Sequence, residues 1–453
     1  MANVKNMTSG SPARLIVSFA LPLMLGNLFQ QFYTIADAAI VGQVLGVPGI
    51  AAIGATEWTV WMVLGIVSGF TQGFSIQMSQ DFGARRYHEL RKGIFNSAFL
   101  SILCAALLLI LGVGLSGWIL NLLNTPDSVR SDSAVYMRII FLGIPASTAY
   151  NLFAAILRSL GDSKTPLYAM VIASVVNVSL DLLFVPVLGM GVMGAALATI
   201  LAQLISGIFC FLKLRKLEVL HFEPQDKQLS GVLQRKLFCL GMPLAFQFTL
   251  IHVGGMILQY VVNGFGVIFI AGFTATNKLY GLLESAATSF GYSMTTYTGQ
   301  NYGAGEIRRI RKGYWAALGI ALIASLIVGI VMLLAGKPFL LMFISGDAQT
   351  VADTLAVAYK YLAIMSIFLP ILYYLHVTRN FIQGLGNTVL PMISGLAEFL
   401  MRTAAALLLP RFISQNGIFY AEIIAWAGAD VVLFFSFLYY YRRLLQKPTD
   451  QHI

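Results

Sequence analysis

Asp37 lies in the stretch NLFQQFYTIADAAIVG (27–42), which contains no basic residue. A second acid, Asp181, closes the stretch NVSLD and follows Asn177 by four residues. That spacing puts the amide and the carboxylate on one helix face. Thr199, in the next apolar run, adds a hydroxyl. Two carboxylates, an amide and a hydroxyl brought together can hold a small hard cation among oxygens, or the two acids can share a proton. A charge alone in hydrocarbon is costly, and acids within membrane spans are functional by default. The competing reading makes Asp37 and Asp181 satisfied hydrogen-bonding groups that only fix helix packing. For Thr199 the competing partner is its own helix backbone. Exchange of a cation or proton requires these groups at one depth, so the elements that carry them come next.

The chain has 453 residues, 58% hydrophobic and 11% charged, against about 25% charged in soluble domains. Most charges fall in short blocks between long apolar runs, the pattern of a helical integral membrane protein. The runs are too long and continuous for barrel strands, which alternate over about ten residues. The opening segment lacks the basic start and short apolar core of a cleaved signal peptide. Cys104, Cys210 and Cys239 have neither disulfide-framework nor metal-site spacing. The net charge of +10 does not indicate nucleic acid as a partner, because the basic residues lie between spans, where they set topology.

Apolar runs of about 20 residues predict twelve spans, near 14–42, 50–79, 94–117, 134–158, 165–186, 190–213, 238–263, 267–298, 314–336, 357–383, 388–411 and 417–441. Lysine and arginine concentrate in alternate loops. One set holds Arg85, Arg86, Arg91, Lys92, Lys164, Lys213, Arg215, Lys216, Lys227, Arg235, Lys236, Arg308, Arg309, Arg311 and Lys312, and the other little beyond Arg130, Lys337 and Arg411. The positive-inside rule then places both termini in the cytoplasm. Asp37 lies 23 residues beyond Arg14, about 35 Å along a helix. Asp181 lies 15 residues beyond Pro166, about 22 Å. Thr199 is eight residues into a span that starts on the far side, at Gly191, about 12 Å. All four polar groups are expected in the outer half of the membrane.

The chain also repeats itself. SQDFGARRYHELRKG (79–93) matches GQNYGAGEIRRIRKG (299–313), AAIGAT (51–56) matches AGFTAT (271–276), and ILRSLGDSKTP (156–166) matches FIQGLGNTVLP (381–391). Six spans are followed by six more in the same sense, a parallel repeat of the kind transporters use, with the substrate path between the halves. The expected organisation is an N-terminal six-helix lobe (1–213), a cytoplasmic linker (214–237) and a C-terminal six-helix lobe (238–453). An intramembrane enzyme would need a metal or acid–base constellation, and no His-Glu-x-x-His, histidine cluster or loop acid-pair motif occurs. The chain therefore reads as a non-enzyme.

QQFYTIADAAIVG, GQNYGAG, RSLGDSKTP and NVSLD together resemble the multidrug and toxic compound extrusion (MATE) family, and the resemblance covers essentially the whole chain. It implies an all-α integral membrane fold of twelve transmembrane helices in two pseudo-symmetric six-helix lobes, V-shaped. It implies a monomer in a bacterial-type cytoplasmic (inner) membrane, in contact with lipid, that needs no cofactor. The implied activity is antiport: amphipathic, often cationic drugs leave as H+ or Na+ enters. In the branch with its cation site in the N-terminal lobe, Asp37, Asn177 and Asp181 match the site position by position and Thr199 matches a fourth member. Sodium at that site is the one metal implied. Pro22 matches a proline at which the first helix can bend. The second half lacks the set: by the repeat offset Asp37 corresponds to Ile257 or Leu258, Asn177 to Arg402 and Asp181 to Ala406.

Other polar groups are harder to place. Glu398 and Arg402 are four apart and read as an internal ion pair. Glu284, six residues from Lys278, either faces the substrate path or pairs with another helix. Glu422 and Asp430 share a face without an evident role. His252 and His376 read as packed polar residues. Gln30, Gln31, Tyr33, Trp58, Met256, Gln259, Tyr260 and Tyr292, with Glu284, are the candidate substrate contacts, since aromatic and methionine side chains suit an adaptable drug pocket. The alternative activity is export or flipping of a lipid-linked precursor or other endogenous metabolite. The few candidate cations, mainly Lys278 and Arg379, argue against the lipid-linked substrate.

Overall fold

The computed structural model describes residues 5–123, 125–344 and 346–446, and all regular structure among them is helical. α1 (Pro12–Gly46) and α2 (Pro48–Gly83) follow one another through a turn at Gly46, whose φ of 66° and ψ of −158° suit a residue without Cβ. α3 is Tyr87–Leu122. α4 is a pair, Asp127–Leu142 and Ile144–Ser159, bent by 45°. α5 (Lys164–Leu182) runs into a π-helical turn, Leu183–Val187. Then come α6 (Gly191–Leu214), α7 (Gly231–Val262), α8 (Val267–Gly303), α9 (Ile307–Leu341), α10 (Ala348–Gly384), α11 (Val389–Ile413) and α12 (Ala421–Gln446).

Ten helices among the described residues are long and apolar enough to cross a membrane, or eleven when the bent pair counts as one span. The serine- and threonine-rich α8, 37 residues long, brings the membrane-length helices to the expected twelve. The fourth span, expected as one run over 134–158, instead bends at Gly143. A Cβ there would stand 2.3 Å from Ile200 Cγ1, so close packing against α6 requires glycine at the bend. Several helices overrun the apolar windows because they continue into charged ends; α3 begins before Arg91 and Lys92, and α7 seven residues earlier than expected.

By internal contacts the chain forms two units. The first comprises Met1–Asn6 and Leu21–Thr249, the second Met7–Ala20 and Leu250–Ile453. These divisions fall inside α1 and α7, so each unit contains the first part of a helix whose remainder belongs to the other.

In the first unit, α2 and the start of α7 approach to backbone contact. A Cβ on Gly69 would lie 2.4 Å from the Ala245 nitrogen, and one on Gly73 2.4 Å from Gly241 Cα. The GDSKTP motif builds the turn into α5. Asp162 Oδ1 accepts from the backbone N–H groups of Lys164 and Thr165, both at 3.0 Å, and its Oδ2 from the Thr165 hydroxyl at 2.6 Å. These bonds satisfy donors that a helix start leaves open. Gly161 before it has φ 83°, and a Cβ there would sit 2.1 Å from the Lys5 carbonyl.

The expected linker is shorter than 214–237 and is docked. Residues 215–230 carry two 3-10 turns, and Asp226 is fully buried. It accepts from Arg91 Nε, pairs with His88 Nδ1, and takes the Glu223 backbone N–H at 2.8 Å. Asn96 holds the same segment through the Gln228 carbonyl and the Ser230 N–H.

In the second unit an aromatic stack links α8, α10 and the turn before α12. Phe273 and Tyr361 stack at 4.7 Å, and Tyr361 and Phe419 at 5.2 Å. A further set joins Tyr314, Phe381 and Phe437. Together these rings pack α8, α9, α10 and α12 against one another.

Candidate functional site

The two candidate acids of the first unit come from different helices. α1 carries Asp37, and α5 carries Asn177 and Asp181 one turn apart, just before the π-helical turn Leu183–Val187. Such turns are frequent at functional sites. Asn177 and Asp181 are both 0% exposed. Both side-chain atoms of Asn177, both carboxylate oxygens of Asp181 and Oδ1 of Asp37 are buried without a hydrogen-bond partner. Asp37 lies close enough to Asp181 to repel it, and among the described residues neither acid has a lysine or arginine partner. Native structures leave few buried polar atoms unsatisfied, and each calls for an explanation.

Tyr33 stands beside this group, one turn before Asp37. It lies near both carboxylates and near the side chains of Gln30 and Gln203. Gln203 Oε1 is a further buried atom without a partner. Tyr136 of α4 feels Asp37, Asp181, Tyr33 and Glu57 of α2. Thr199 is half-buried on α6, one turn before Gln203. The structure thus brings Asp37, Asp181 and Tyr33 together and adds two residues that sequence reasoning missed, Gln203 and Tyr136. The signal for Gln203 was its spacing of four from Thr199. Nothing in the sequence marked Tyr136 as part of this group.

The remaining candidates are more dispersed. Gln31 and Trp58 are half-buried in the first unit, with Trp58 edge-on to Trp61 at 5.7 Å. Met256 and Tyr292 are half-buried in the second. The Gln259 amide donates to Asn263 at 2.8 Å, and Tyr260 is 79% exposed. Pro22 lies inside α1, two residues past the unit division at Ala20.

The second unit arranges its charges differently. Glu398 on α11 receives Arg379 of α10 at 2.7 Å and Arg402 at 2.9 Å, so the expected Glu398–Arg402 pair is present. Arg402 also reaches Glu422 of α12 at 2.8 Å, which gives Glu422 a role. Arg379, a candidate cation of the substrate path, is instead buried and held by Glu398 and the Ser394 hydroxyl. Glu284, half exposed, has a partner on another helix, His376 of α10, at 3.8 Å.

Comparison with known proteins agrees with this architecture. Residues 22–183 and 243–408 match the MatE family, and the two stretches fall in the two repeats. The chain is 29% identical over 422 residues to the probable multidrug resistance protein YpnP of Bacillus subtilis, covering 91% of this chain and 92% of that one. It is 23% identical to a FAD transporter of Shewanella oneidensis, over 77% and 78% of the two chains. A crystal structure of a MATE in complex with MaL6 superposes with a TM-score of 0.90 at 21% identity, over 98% of this chain and 99% of that one. Twelve membrane-length helices, a six-span repeat and a family match through both halves place the chain in the MatE family of multidrug efflux transporters.

Proposed function

We propose that this transporter exports amphipathic, often cationic compounds in exchange for protons or sodium ions, and that the exchange is made at Asp37, Asn177 and Asp181, with Thr199 nearby. The observation that carries the reading is the set of buried, unpartnered oxygens on α1 and α5. Two mutually repelling carboxylates with no basic neighbour are costly in a medium that solvates charge poorly. One bound proton or one sodium ion removes that cost. A proton needs only one of the carboxylate oxygens. Sodium would use several, including the Asn177 carbonyl oxygen.

Coupling follows if the ion binds the outward-open and inward-open states with different affinity, since a ligand shifts a conformational equilibrium only by that difference. An ion arriving from outside then favours the state from which drug has been released. Substrate contacts are assigned to Gln30, Gln31, Tyr33, Trp58, Met256, Gln259, Tyr260, Glu284 and Tyr292, on α1, α2, α7 and α8. The basic loops put both termini in the cytoplasm of a bacterial-type inner membrane, and the transporter acts as a monomer.

The similarity to a FAD transporter supports a second reading, export of an endogenous metabolite. A lipid-linked precursor is disfavoured, because Arg379, with Lys278 one of its two main candidate cations, is committed to Glu398. The test compares efflux of a fluorescent cationic dye by wild type and Asp37→Asn at matched expression, with proton and sodium gradients imposed separately. Gradient-driven export should vanish in the variant, and the effective gradient names the ion. Equal export by both proteins would remove Asp37 from coupling. Flavin nucleotide export without dye export would favour the second reading.

A further inference from the structure

The GQNYGAG motif (299–305) lies outside the candidate coupling site, yet its second and third residues are fully buried in the second unit. They grip the peptide that leads into α1. The Met7 N–H donates to Gln300 Oε1 at 2.8 Å. Asn301 Nδ2 donates to the Met7 carbonyl at 3.1 Å and to the Tyr297 carbonyl at 2.8 Å. Arg309, at the start of α9, adds Nη2 to the Met7 carbonyl at 3.1 Å, Nη1 to the Gly10 carbonyl at 2.9 Å and Nε to Asn301 Oδ1 at 3.0 Å. Met7 itself is fully buried. Chain termini are commonly loose unless tied down, whereas here the backbone donor and acceptor of one residue are both held by buried side chains.

The grip continues into α1, where the Ser293 hydroxyl donates to the Ile16 carbonyl at 3.0 Å. The helix leaves this unit at Ala20, and Pro22 follows at once. Proline has no N–H to give to the carbonyl four residues back, which weakens the helix there. Beyond that point the same helix carries Asp37 in the first unit.

We propose that Gln300, Asn301 and Arg309 are positioning residues for export: they clamp the start of α1, so that displacement of the Asp37 segment bends the helix near Pro22 and does not slide it along its axis. The proposal rests on Asp37 being the coupling acid. In a helix anchored at one end, movement at the other concentrates where a backbone bond is missing. Without the anchor the helix moves as a rod, and a shift at Asp37 is dissipated as sliding.

The test uses the full-length protein in inside-out vesicles, with Cys104, Cys210 and Cys239 replaced by serine and Met7→Cys as reporter. Asn301→Ala should raise labelling of the thiol introduced at position 7 by a membrane-impermeant maleimide roughly tenfold, the effect of losing a buried hydrogen bond. With Met7 retained, Asn301→Ala should cut gradient-driven dye export by a similar factor, while dye affinity without a gradient moves less than twofold. Met7→Pro, which deletes the N–H taken by Gln300 and leaves α8 and α9 untouched, should do the same and keeps the test open if Asn301→Ala folds poorly. Labelling that does not rise, or export unchanged in both variants, overturns the clamp. If Asp37→Asn exports normally, the coupling reading fails separately, and labelling at position 7 still reports whether the grip exists.

Discussion

Glu398→Gln tests the charge ladder of the second unit. The wild-type carboxylate faces two guanidinium groups, Arg379 at 2.7 Å and Arg402 at 2.9 Å, whose side chains are 4% and 5% exposed. With Glu422, the ladder balances two positive and two negative charges. The amide keeps the shape of the carboxylate and removes one charge. Arg402 retains Glu422, but among the described residues Arg379 loses its one ion-pair partner and keeps the Ser394 hydroxyl, a neutral amide oxygen and the more distant Asp430, which leaves a poorly compensated buried cation. Breaking one side of a buried pair costs about 3–5 kcal/mol, a large share of a total near ~5–15 kcal/mol. At 1.36 kcal/mol per decade, the unfolded fraction rises by roughly two to four orders of magnitude. Thermal unfolding of purified protein in detergent reads the loss as a lower midpoint. The double variant Glu398→Met, Arg379→Met removes one charge of each sign and leaves Arg402–Glu422 intact. It should recover most of the loss, because apolar replacement of a whole buried pair is often neutral or better. A single variant as stable as wild type, or a double no better than the single, refutes the balance. If Glu398→Gln keeps its midpoint but stops export, the ladder serves transport instead.

Asp181→Asn should raise the unfolding midpoint while abolishing gradient-driven export, because it removes a repelling charge from a site with no partner for it; a lowered midpoint would mark Asp181 as a structural hydrogen-bonder. Gly73→Ala places a Cβ 2.4 Å from Gly241 Cα, an overpacking expected to cost about 1–3 kcal/mol; unchanged thermal stability would contradict the close crossing of α2 and α7. Burial favours the protonated form of Asp226, but the Glu223 N–H, Arg91 and His88 outweigh it and hold the carboxyl below its usual range. A lowered folded value means that its contribution is complete above the unfolded value of about 3.9 and is lost as pH falls through the lower folded one. Hydrogen exchange over 221–230 should therefore stay slow down to pH about 4 and accelerate below it, with Asp226→Asn fast at neutral pH; loss of protection between pH 5 and 7 would refute the assignment.

The spans, their number and the repeat were legible because hydrocarbon imposes length and composition on each helix separately. The acids were legible for the same reason. A carboxylate in an apolar run stands out without any knowledge of packing, and the four-residue step from Asn177 to Asp181 fixes their common face. What stayed hidden depends on how helices rotate against one another. Arg379 finds Glu398 nineteen positions away, on another helix. Glu284 finds His376, and Asp226 finds His88 from 138 positions away. Tyr136 looks like an ordinary span residue until the fold sets it near Asp37. The docking of residues 215–230 stayed hidden in the same way, since it rests on one buried carboxylate, Asp226, and its three partners.

The two halves of the repeat differ at the level of the proposed coupling site. Arg402 stands at the repeat position of Asn177 and Ala406 at that of Asp181. In the second unit that level of the helix holds a guanidinium fixed between Glu398 and Glu422. The positive charge is covalently tethered, so the acids around it are permanently neutralised. In the first unit the same level holds an amide and a carboxylate, with a second carboxylate within repelling range and, among the described residues, no lysine or arginine partner for either acid. Charge balance there must come from solution. A tethered cation cannot be exchanged across a membrane, whereas a proton or a sodium ion can bind from one side and leave to the other. Duplication supplies two similar bundles, and the residue at this one repeat position separates a level whose acids are neutralised by a tethered arginine from the level of the proposed cation site.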